Sequence, residues 1–296
     1  MIKKGLSRLG TYFLYLVSLL PFWFLYLIAD FLFVVIYYLI GYRRKVVQEN
    51  LRNSFPEKTD EERHSIEKKY FRYLADLIVE TIKMITVSKK EILKRVTATN
   101  PELVNEHFEH GRSIMSALGH YGNWEMANFR LSLFTNNKRI VVYKPLSNDT
   151  FDQFFIDMRS RFGATMVAMK NITRALVKYK NELTFTALVA DQTPVQHEAT
   201  YFTTFLNQPT AFFLGIEKLA KLTDTAVIFC DVRRVKRGYY EYTVIPITDN
   251  PKETAPHEIT EAYIRCLETM IQREPQYWLW SHRRWKFKPQ HITTNE

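Results

Sequence analysis

The segment that most constrains the fold of this chain is a long apolar run near its N-terminus. Residues 9–42 contain one charged side chain, Asp30, and Pro21 divides the run into two arms, Leu9–Leu20 and Phe22–Tyr42. The second arm has the roughly 20 residues that a helix needs to cross a bilayer, whereas the first arm is too short to cross alone. Basic side chains flank both ends of the run.

Four interpretations of this run compete. A cleaved signal peptide should end in a small-residue cleavage site, which the sequence lacks. A single spanning helix puts its two ends on opposite sides of the membrane, although both flanks here are basic. A pair of buried core helices conflicts with the nearly uninterrupted hydrophobicity around each arm. We therefore expect a membrane anchor over residues 1–45, bent at Pro21 and dipping into the cytoplasmic leaflet, with one true crossing as the alternative.

The composition of the 296-residue chain bounds its partners. One large domain is expected from the length, and we place an α/β catalytic domain over residues 46–296. The net charge of +10 favours anionic partners, which are nucleic acid, anionic lipid or an acidic carrier protein. The two cysteines, Cys230 and Cys266, fit neither a metal site nor a redox motif, so we expect reduced, buried thiols.

Beyond residue 112 the sequence alternates between strand-like and helix-like runs. A helix-like run is expected at Thr210–Leu222 and another at Thr260–Arg273. The strand-like runs are Ser113–Leu118, Arg139–Lys144, Ala164–Ala168, Thr184–Ala190, Ala226–Val232 and Tyr239–Pro246. Alternation of this kind predicts an α/β fold with a mixed central sheet flanked by helices.

The first of these strands runs into a short glycine-bracketed turn, Gly-His-Tyr-Gly-Asn-Trp-Glu, at residues 119–125. Asn123 is a favourable N-cap for the helix that follows, and the two glycines permit a tight entry. His120 then precedes the helix and Glu125 lies in its first turn. We predict His120 as a general base and Glu125 as the carboxylate that orients it. The alternative is an ordinary histidine in a surface loop.

Three further side chains are candidates for the same site. Asp191 follows the run Thr184–Ala190, so it comes near His120 if the two strands are parallel neighbours. It is either a second site carboxylate or a turn residue before Pro194. Arg159 and Arg161 end a predicted helix, where they either recognise an anion or complement the helix dipole.

The densest basic and aromatic stretch is Gln276–Lys288, which contains Arg283 and Arg284. It could sit at a headgroup interface, hold substrate phosphates through its arginines, or fasten the C-terminus to the core. Binding of single-stranded nucleic acid also fits such interleaving, but it leaves the apolar N-terminus unexplained. Four other histidines lack partners at metal-ligand spacing, so we expect surface histidines and no metal: His107, His110, His197 and His257.

Taken together, these features resemble the bacterial lipid A biosynthesis (late) acyltransferase family. The resemblance covers nearly the whole chain and includes the N-terminal apolar run and the residue 119–125 turn. Its other motifs are Asn50-Leu-Arg-Asn-Ser-Phe-Pro-Glu57, Ala190-Asp-Gln192, Leu219-Ala220 and Trp280-Ser-His-Arg-Arg-Trp-Lys286.

The resemblance implies an enzyme on the cytoplasmic face of the bacterial inner membrane. Such an enzyme moves a fatty acyl chain from acyl carrier protein to a hydroxyl of a hydroxyacyl chain on a phosphorylated glucosamine disaccharide. It implies His120 as base with Glu125 as partner, an arginine from the pair Arg159 and Arg161, and Asp191 as an acidic site residue. No cofactor is expected, because the thioester is already activated. Two alternatives stay open: another membrane lipid as acceptor, or a non-catalytic membrane protein that binds lipid or nucleic acid.

Overall fold

The structure is a computed structural model that describes residues 2–133 and 135–289. Eleven α-helices lie within these residues: α1 (Ile2–Leu19), α2 (Phe22–Val34), α3 (Arg44–Ser54), α4 (Asp60–Lys83), α5 (Lys89–Arg95), α6 (Glu102–Glu109), α7 (Trp124–Ser132), α8 (Asp149–Ser160), α9 (Ile172–Lys178), α10 (Gly215–Thr223) and α11 (Glu258–Arg273). The strands of the same residues are β1 (Val96–Ala98), β2 (Ile114–Leu118), β3 (Lys138–Tyr143), β4 (Thr165–Ala168), β5 (Thr184–Val189), β6 (Tyr201–Phe205), β7 (Gln208–Phe212), β8 (Ala226–Lys236) and β9 (Tyr239–Thr248).

Seven of the strands form one central sheet in the order β1-β9-β8-β2-β5-β3-β4. The pair β8 and β9 is antiparallel, and the other neighbouring pairs are parallel. The predicted α/β class with a mixed central sheet is therefore confirmed. All five residues of β2 are buried, as expected for a central strand covered by helices on both faces.

The neighbouring strands β2 and β5 set the position of the candidate site. They run parallel with Leu118 opposite Val189. The segments that follow the two strands therefore leave the sheet side by side, at the carboxyl ends of the strands. His120 and Asp191 each lie two residues past these strand ends. The expectation that parallel pairing would bring Asp191 near the His120 turn is confirmed.

The helix expected at Thr210–Leu222 begins later than predicted. Thr210 lies in β7, which pairs with β6 in a separate two-stranded hairpin, and helix α10 starts at Gly215. Leu206 and Asn207 both adopt positive φ, 49° and 61°, as a two-residue hairpin turn requires. The hairpin turn therefore places residues 208–212 in a strand, although the spacing of their apolar side chains also fits a helix.

The N-terminal run forms two helices that separate at Pro21, as predicted. After α2 the chain continues as a π-helix over Val35–Leu39. One face of this continuous helix is buried, through Phe22, Leu25, Ala29, Phe33 and Tyr37. The opposite face exposes large apolar side chains, namely Trp23, Phe24, Leu27, Phe31, Val34, Tyr38 and Leu39.

By length and composition, Phe22–Leu39 is long and apolar enough to cross a membrane. Only 28% of its residues are buried inside the protein, which disagrees with a pair of wholly buried core helices. Its one charge, Asp30, forms an ion pair with Arg237 in the β8–β9 turn. The membrane anchor over residues 1–45 stays a prediction, and so does its boundary with the α/β domain.

Candidate active site

Two glycines shape the turn between β2 and α7. A Cβ atom on Gly119 would lie 2.5 Å from Leu267 Cδ1, so any larger residue would have to displace this leucine side chain of α11. Gly122 has φ of +56°, in the left-handed region that glycine adopts at low cost. The next residue caps α7 as predicted, because Asn123 Oδ1 accepts the Met126 N–H over 2.9 Å.

The imidazole of His120 bonds to Asp191. His120 Nδ1 lies 2.6 Å from Asp191 Oδ1, and the backbone N–H of His120 donates to Asp191 Oδ2 over 2.7 Å. The indole Nε1–H of Trp278 donates to the same Oδ2 over 2.8 Å. Burial raises the pKa of Asp191, but the histidine beside it and these N–H donors outweigh burial and lower the pKa below its ordinary value.

An ionised Asp191 fixes the histidine tautomer. A carboxylate accepts only, so the proton of the neutral ring is placed on Nδ1 and the lone pair is left on Nε2. His120 Nε2 lies 3.3 Å from the side-chain nitrogen of Gln192, an exposed residue that lines the same cavity as His120. The basic nitrogen of the ring is therefore on the side of the cavity.

Glu125 does not occupy the place that the sequence predicted for it. Its buried carboxylate binds Arg159, whose Nε lies 3.0 Å from both oxygens and whose Nη2 also donates to Oε1. Within the part of the chain that the structure describes, no hydrogen bond joins Glu125 to His120. The first turn of α7 directs Glu125 toward α8, whereas His120, ahead of the helix, turns toward the end of β5. The carboxylate on the imidazole is thus Asp191 rather than the expected Glu125.

The two arginines of α8 have different surroundings. Arg159 lines the cavity, and its pKa is raised because the Glu125 charge outweighs the opposite effect of burial. Arg161 points away and donates to the carbonyls of Met84 and Val87 over 2.6 and 3.0 Å. Arg159 is therefore the arginine of the site, and Arg161 fastens the end of α8 to the loop after α4.

A cavity of about 610 Å³ begins at these groups and crosses the carboxyl ends of β2, β5, β3 and β4. Its volume lies within the range of about 300–1,000 Å³ that is common for small-molecule sites. His120, Glu125 and Arg159 form a polar cluster in its wall. Apolar side chains make up most of the rest, among them Leu118, Leu131, Val141, Phe155, Ile172, Leu188, Val195 and Phe213.

The C-terminal basic and aromatic segment is fastened to the core, which was one of its three predicted uses. Asn50 donates to the Trp280 and His282 carbonyls, and Thr193 Oγ1 contacts the carbonyls of Arg283 and Arg284. Arg283 is exposed, and its backbone carbonyl accepts from Thr193, which lines the cavity.

Arg284 is buried, with 1% of its surface exposed, and its Nη2 donates to Ala211 O. Burial lowers the pKa of this guanidinium to about 10, opposed by Asp191. Its burial keeps Arg284 out of the cavity, so the structure does not place it in contact with a substrate there.

A buried carboxylate supports the turn from behind. Glu80 of α4 is fully buried and accepts hydrogen bonds from Asn123 Nδ2 and Tyr240 Oη, each over 2.7 Å, and from Tyr26 Oη over 3.0 Å. Burial raises the pKa of Glu80, with Arg234 opposing it. Sequence reasoning missed this residue, whose only signal is an acidic side chain inside an apolar stretch of helix α4.

The remaining histidines and cysteines show no catalytic grouping. Among residues 2–133 and 135–289, no cluster of three or more His, Cys, Asp or Glu side chains is arranged to hold a metal. His107 contacts Asp249 over 2.8 Å, and His257 stacks on the ring of Tyr201. Both cysteines are free thiols as predicted, although Cys266 is half-buried rather than buried.

Comparison with known proteins assigns the chain to a family. The model of the family described as bacterial lipid A biosynthesis acyltransferase matches residues 1–287. A lipid A biosynthesis acyltransferase of Haemophilus influenzae is 24% identical over 277 residues, which cover 92% of this chain and 85% of that protein. The lipid A biosynthesis lauroyltransferase of Escherichia coli is 24% identical, covering 98% and 94% of the two chains. The palmitoleoyltransferase of the same organism is 22% identical, covering 83% and 80%.

Proposed function

Since this chain belongs to the bacterial lipid A biosynthesis acyltransferase family and is an acyltransferase, we propose that it acylates a lipid A precursor from an acyl carrier protein thioester. The acceptor group is a hydroxyl on a hydroxyacyl chain of the phosphorylated disaccharide. The observation that carries this proposal is the His120–Asp191 pair at the wall of a large, mostly apolar cavity.

In the proposed reaction His120 is the general base. The acceptor hydroxyl binds at Nε2, in the place that the Gln192 amide takes in the free protein. Its oxygen attacks the thioester carbonyl carbon while its proton passes to Nε2, and Asp191 stabilises the imidazolium that forms. The new C–O bond forms, the C–S bond breaks, and the leaving thiolate takes the proton from the imidazolium. The ring returns to its neutral state, and no metal or cofactor takes part.

Arg159 is suited to stabilise the negative charge of the tetrahedral intermediate. A guanidinium that is held in one orientation before the reaction stabilises developing charge without first reorganising. The bidentate contact with Glu125 provides that orientation. Glu125 therefore acts on Arg159 in this proposal, and its effect on His120 is indirect.

The apolar part of the cavity is the proposed slot for the acyl chain of the donor. Its walls are Val, Leu, Ile and Phe side chains, which stabilise alkyl chains by burying them from water. The net charge of +10 suits both an acidic carrier protein and a phosphorylated acceptor.

The acceptor is a lipid, so the site must be reachable from a membrane. The apolar face of Phe22–Leu39 supports seating at the bilayer, and the basic residues on both flanks support the cytoplasmic face of the inner membrane. Helix α1 contributes more exposed apolar side chains, namely Leu6, Leu9, Tyr12, Phe13, Tyr15, Leu16 and Leu19. It also contacts α8, the helix that carries Arg159, through Ser7 and Asn148.

The direct test uses the purified protein, acyl carrier protein thioesters and a tetra-acylated disaccharide acceptor. Wild type should transfer the acyl chain, and His120→Ala should lose a factor of roughly 10²–10⁴ in rate. Absence of transfer by folded wild type would overturn the proposal. Mass spectrometry of lipids from a deletion strain identifies the acceptor. Loss of a secondary acyl chain from lipid A would show that lipid A, rather than another membrane lipid, is the acceptor.

A further inference from the structure

We propose that Trp278 is a positioning residue for the acyl transfer, which it assists by fixing the carboxylate of Asp191 against His120. This inference rests on the proposed role of His120 as general base. Trp278 belongs to the C-terminal basic and aromatic segment and is not among the residues that line the cavity.

The two carboxylate oxygens of Asp191 have different hydrogen-bond partners. Oδ1 faces His120 Nδ1 over 2.6 Å, while Oδ2 accepts the His120 backbone N–H over 2.7 Å and the Trp278 indole N–H over 2.8 Å. Two donors on Oδ2 hold the carboxylate plane, so that Oδ1 stays directed at the ring. An indole is a donor only, so it cannot compete with Asp191 for the imidazole proton.

The indole of Trp278 is itself held in place by contacts of its backbone and ring. The backbone of Trp278 forms an isolated antiparallel bridge with Tyr121, and Gly122 N–H donates to the Tyr277 carbonyl over 2.9 Å. The segment is therefore attached to the same turn that carries His120. Trp278 is 2% exposed and packs edge-on against Trp280, with ring centroids 4.8 Å apart.

The hydrogen bond from Trp278 also acts electrostatically on Asp191, because it helps to lower the pKa of that carboxyl group. Donors to the carboxylate lower its basicity, which limits how strongly it holds a proton on the neighbouring ring. Removing the indole N–H should raise the pKa of Asp191 and strengthen its hold on the imidazolium, so His120 should protonate at a higher pH. The other charged and titratable groups around the pair are Glu125 of α7, Arg159 of α8, Tyr263 of α11, and His282 and Arg284 of the C-terminal segment.

The test compares two tryptophans of the same segment. Trp278→Phe removes the donor to Asp191, and Trp280→Phe removes an indole N–H that donates instead to the Pro275 carbonyl. For Trp278→Phe we expect kcat to fall about tenfold, and the acid limb of the kcat/KM profile to move up by roughly 0.5 pH unit. KM for the acyl donor should stay near that of wild type. For Trp280→Phe the acid limb should stay in place.

A second measurement does not depend on activity. The NMR signals of the His120 ring are assigned by their absence from His120→Gln. Their titration midpoint should move to a higher pH in Trp278→Phe and should be unchanged in Trp280→Phe. In an Asp191→Asn background the same tryptophan change should leave the midpoint where it is. If Trp278→Phe does not fold, Trp278→Leu, which also lacks a side-chain donor, replaces it in both measurements.

Equal midpoints in wild type and the Trp278 variant would overturn the inference. Midpoints that shift as expected, in a protein that transfers no acyl chain, would show that Trp278 positions the Asp191–His120 pair but would remove the proposed function, and with it the role of Trp278 in acyl transfer.

Discussion

Asn123, the cap of helix α7, donates its side-chain amide to the buried carboxylate of Glu80 over 2.7 Å. The same carboxylate accepts the hydroxyl of Tyr26 on the candidate membrane helix. One buried group thus connects the apolar helix to the turn between His120 and Glu125. The position of that turn depends on how the N-terminal helix packs.

Tyr26→Phe should loosen the turn without touching the cavity. Loss of one hydrogen bond to a buried carboxylate should lower the free energy of unfolding by about 1–2 kcal/mol. Hydrogen–deuterium exchange at the Met126 amide, which Asn123 caps, should become faster. Tyr38→Phe is the matched control, because Tyr38 lies on the same segment and is 56% exposed. Equal exchange rates in the two variants would show that the Tyr26 hydroxyl does not support the turn.

Glu80→Gln should change how stability depends on pH. Burial raises the pKa of Glu80 in the folded protein, so its contribution to stability is full below the unfolded value and is lost as pH rises through the folded pKa. The unfolded value for glutamate is about 4.3. Relative to wild type, the variant should therefore gain stability as pH rises above that value. Unfolding midpoints measured from pH 4.5 to pH 8 check this, and a constant difference would contradict it.

The arginines of α8 provide a second matched pair. Arg159→Gln should lower kcat by roughly 10²–10³, because the guanidinium in the cavity wall is lost. Arg161→Gln should leave kcat within about twofold and instead lower stability by about 1–3 kcal/mol, since Arg161 binds two backbone carbonyls outside the cavity. Rates and unfolding midpoints are measured for both variants. A larger rate loss at Arg161 would reverse the assignment.

A double-mutant cycle tests whether Glu125 acts through Arg159. Glu125→Gln should lower kcat, and its effect should be much smaller once Arg159→Gln is present, because residues that act as a unit are not additive. Additive losses would mean that Glu125 works independently of Arg159, for example on His120 as the sequence first indicated.

Much of the framework could be predicted from the sequence, because it depends on local patterns. The bend at Pro21, the cap at Asn123 and the central strands each have a signal within a few residues. The adjacency of β2 and β5 does not follow from the order of the strand-like runs, because β3 and β4 come between them in the chain. The sequence supports only the conditional expectation that parallel pairing of these two strands would bring Asp191 to His120.

The partners inside the site could not be predicted in the same way. Glu125 follows His120 closely in sequence, but its carboxylate binds Arg159 of α8, a helix that comes later in the chain. No pattern near residue 125 indicates that partner. Trp278 reaches Asp191 from 87 residues away. Glu80 accepts hydrogen bonds from three side chains that lie far apart in the sequence, so no local sequence pattern indicates them.

The most direct test of this account is the rate of Asp191→Asn. The Asp191 Oδ2 position accepts two N–H donors, so the amide oxygen of the variant should take that place and turn its NH₂ group toward His120 Nδ1. The ring proton would then be confined to Nε2, where it blocks acceptance of the hydroxyl proton. We predict a fall in kcat of roughly 10³–10⁴ in folded protein, as expected for a general base in the wrong tautomer. A rate within tenfold of wild type would contradict the assignment of Asp191 as the partner of His120.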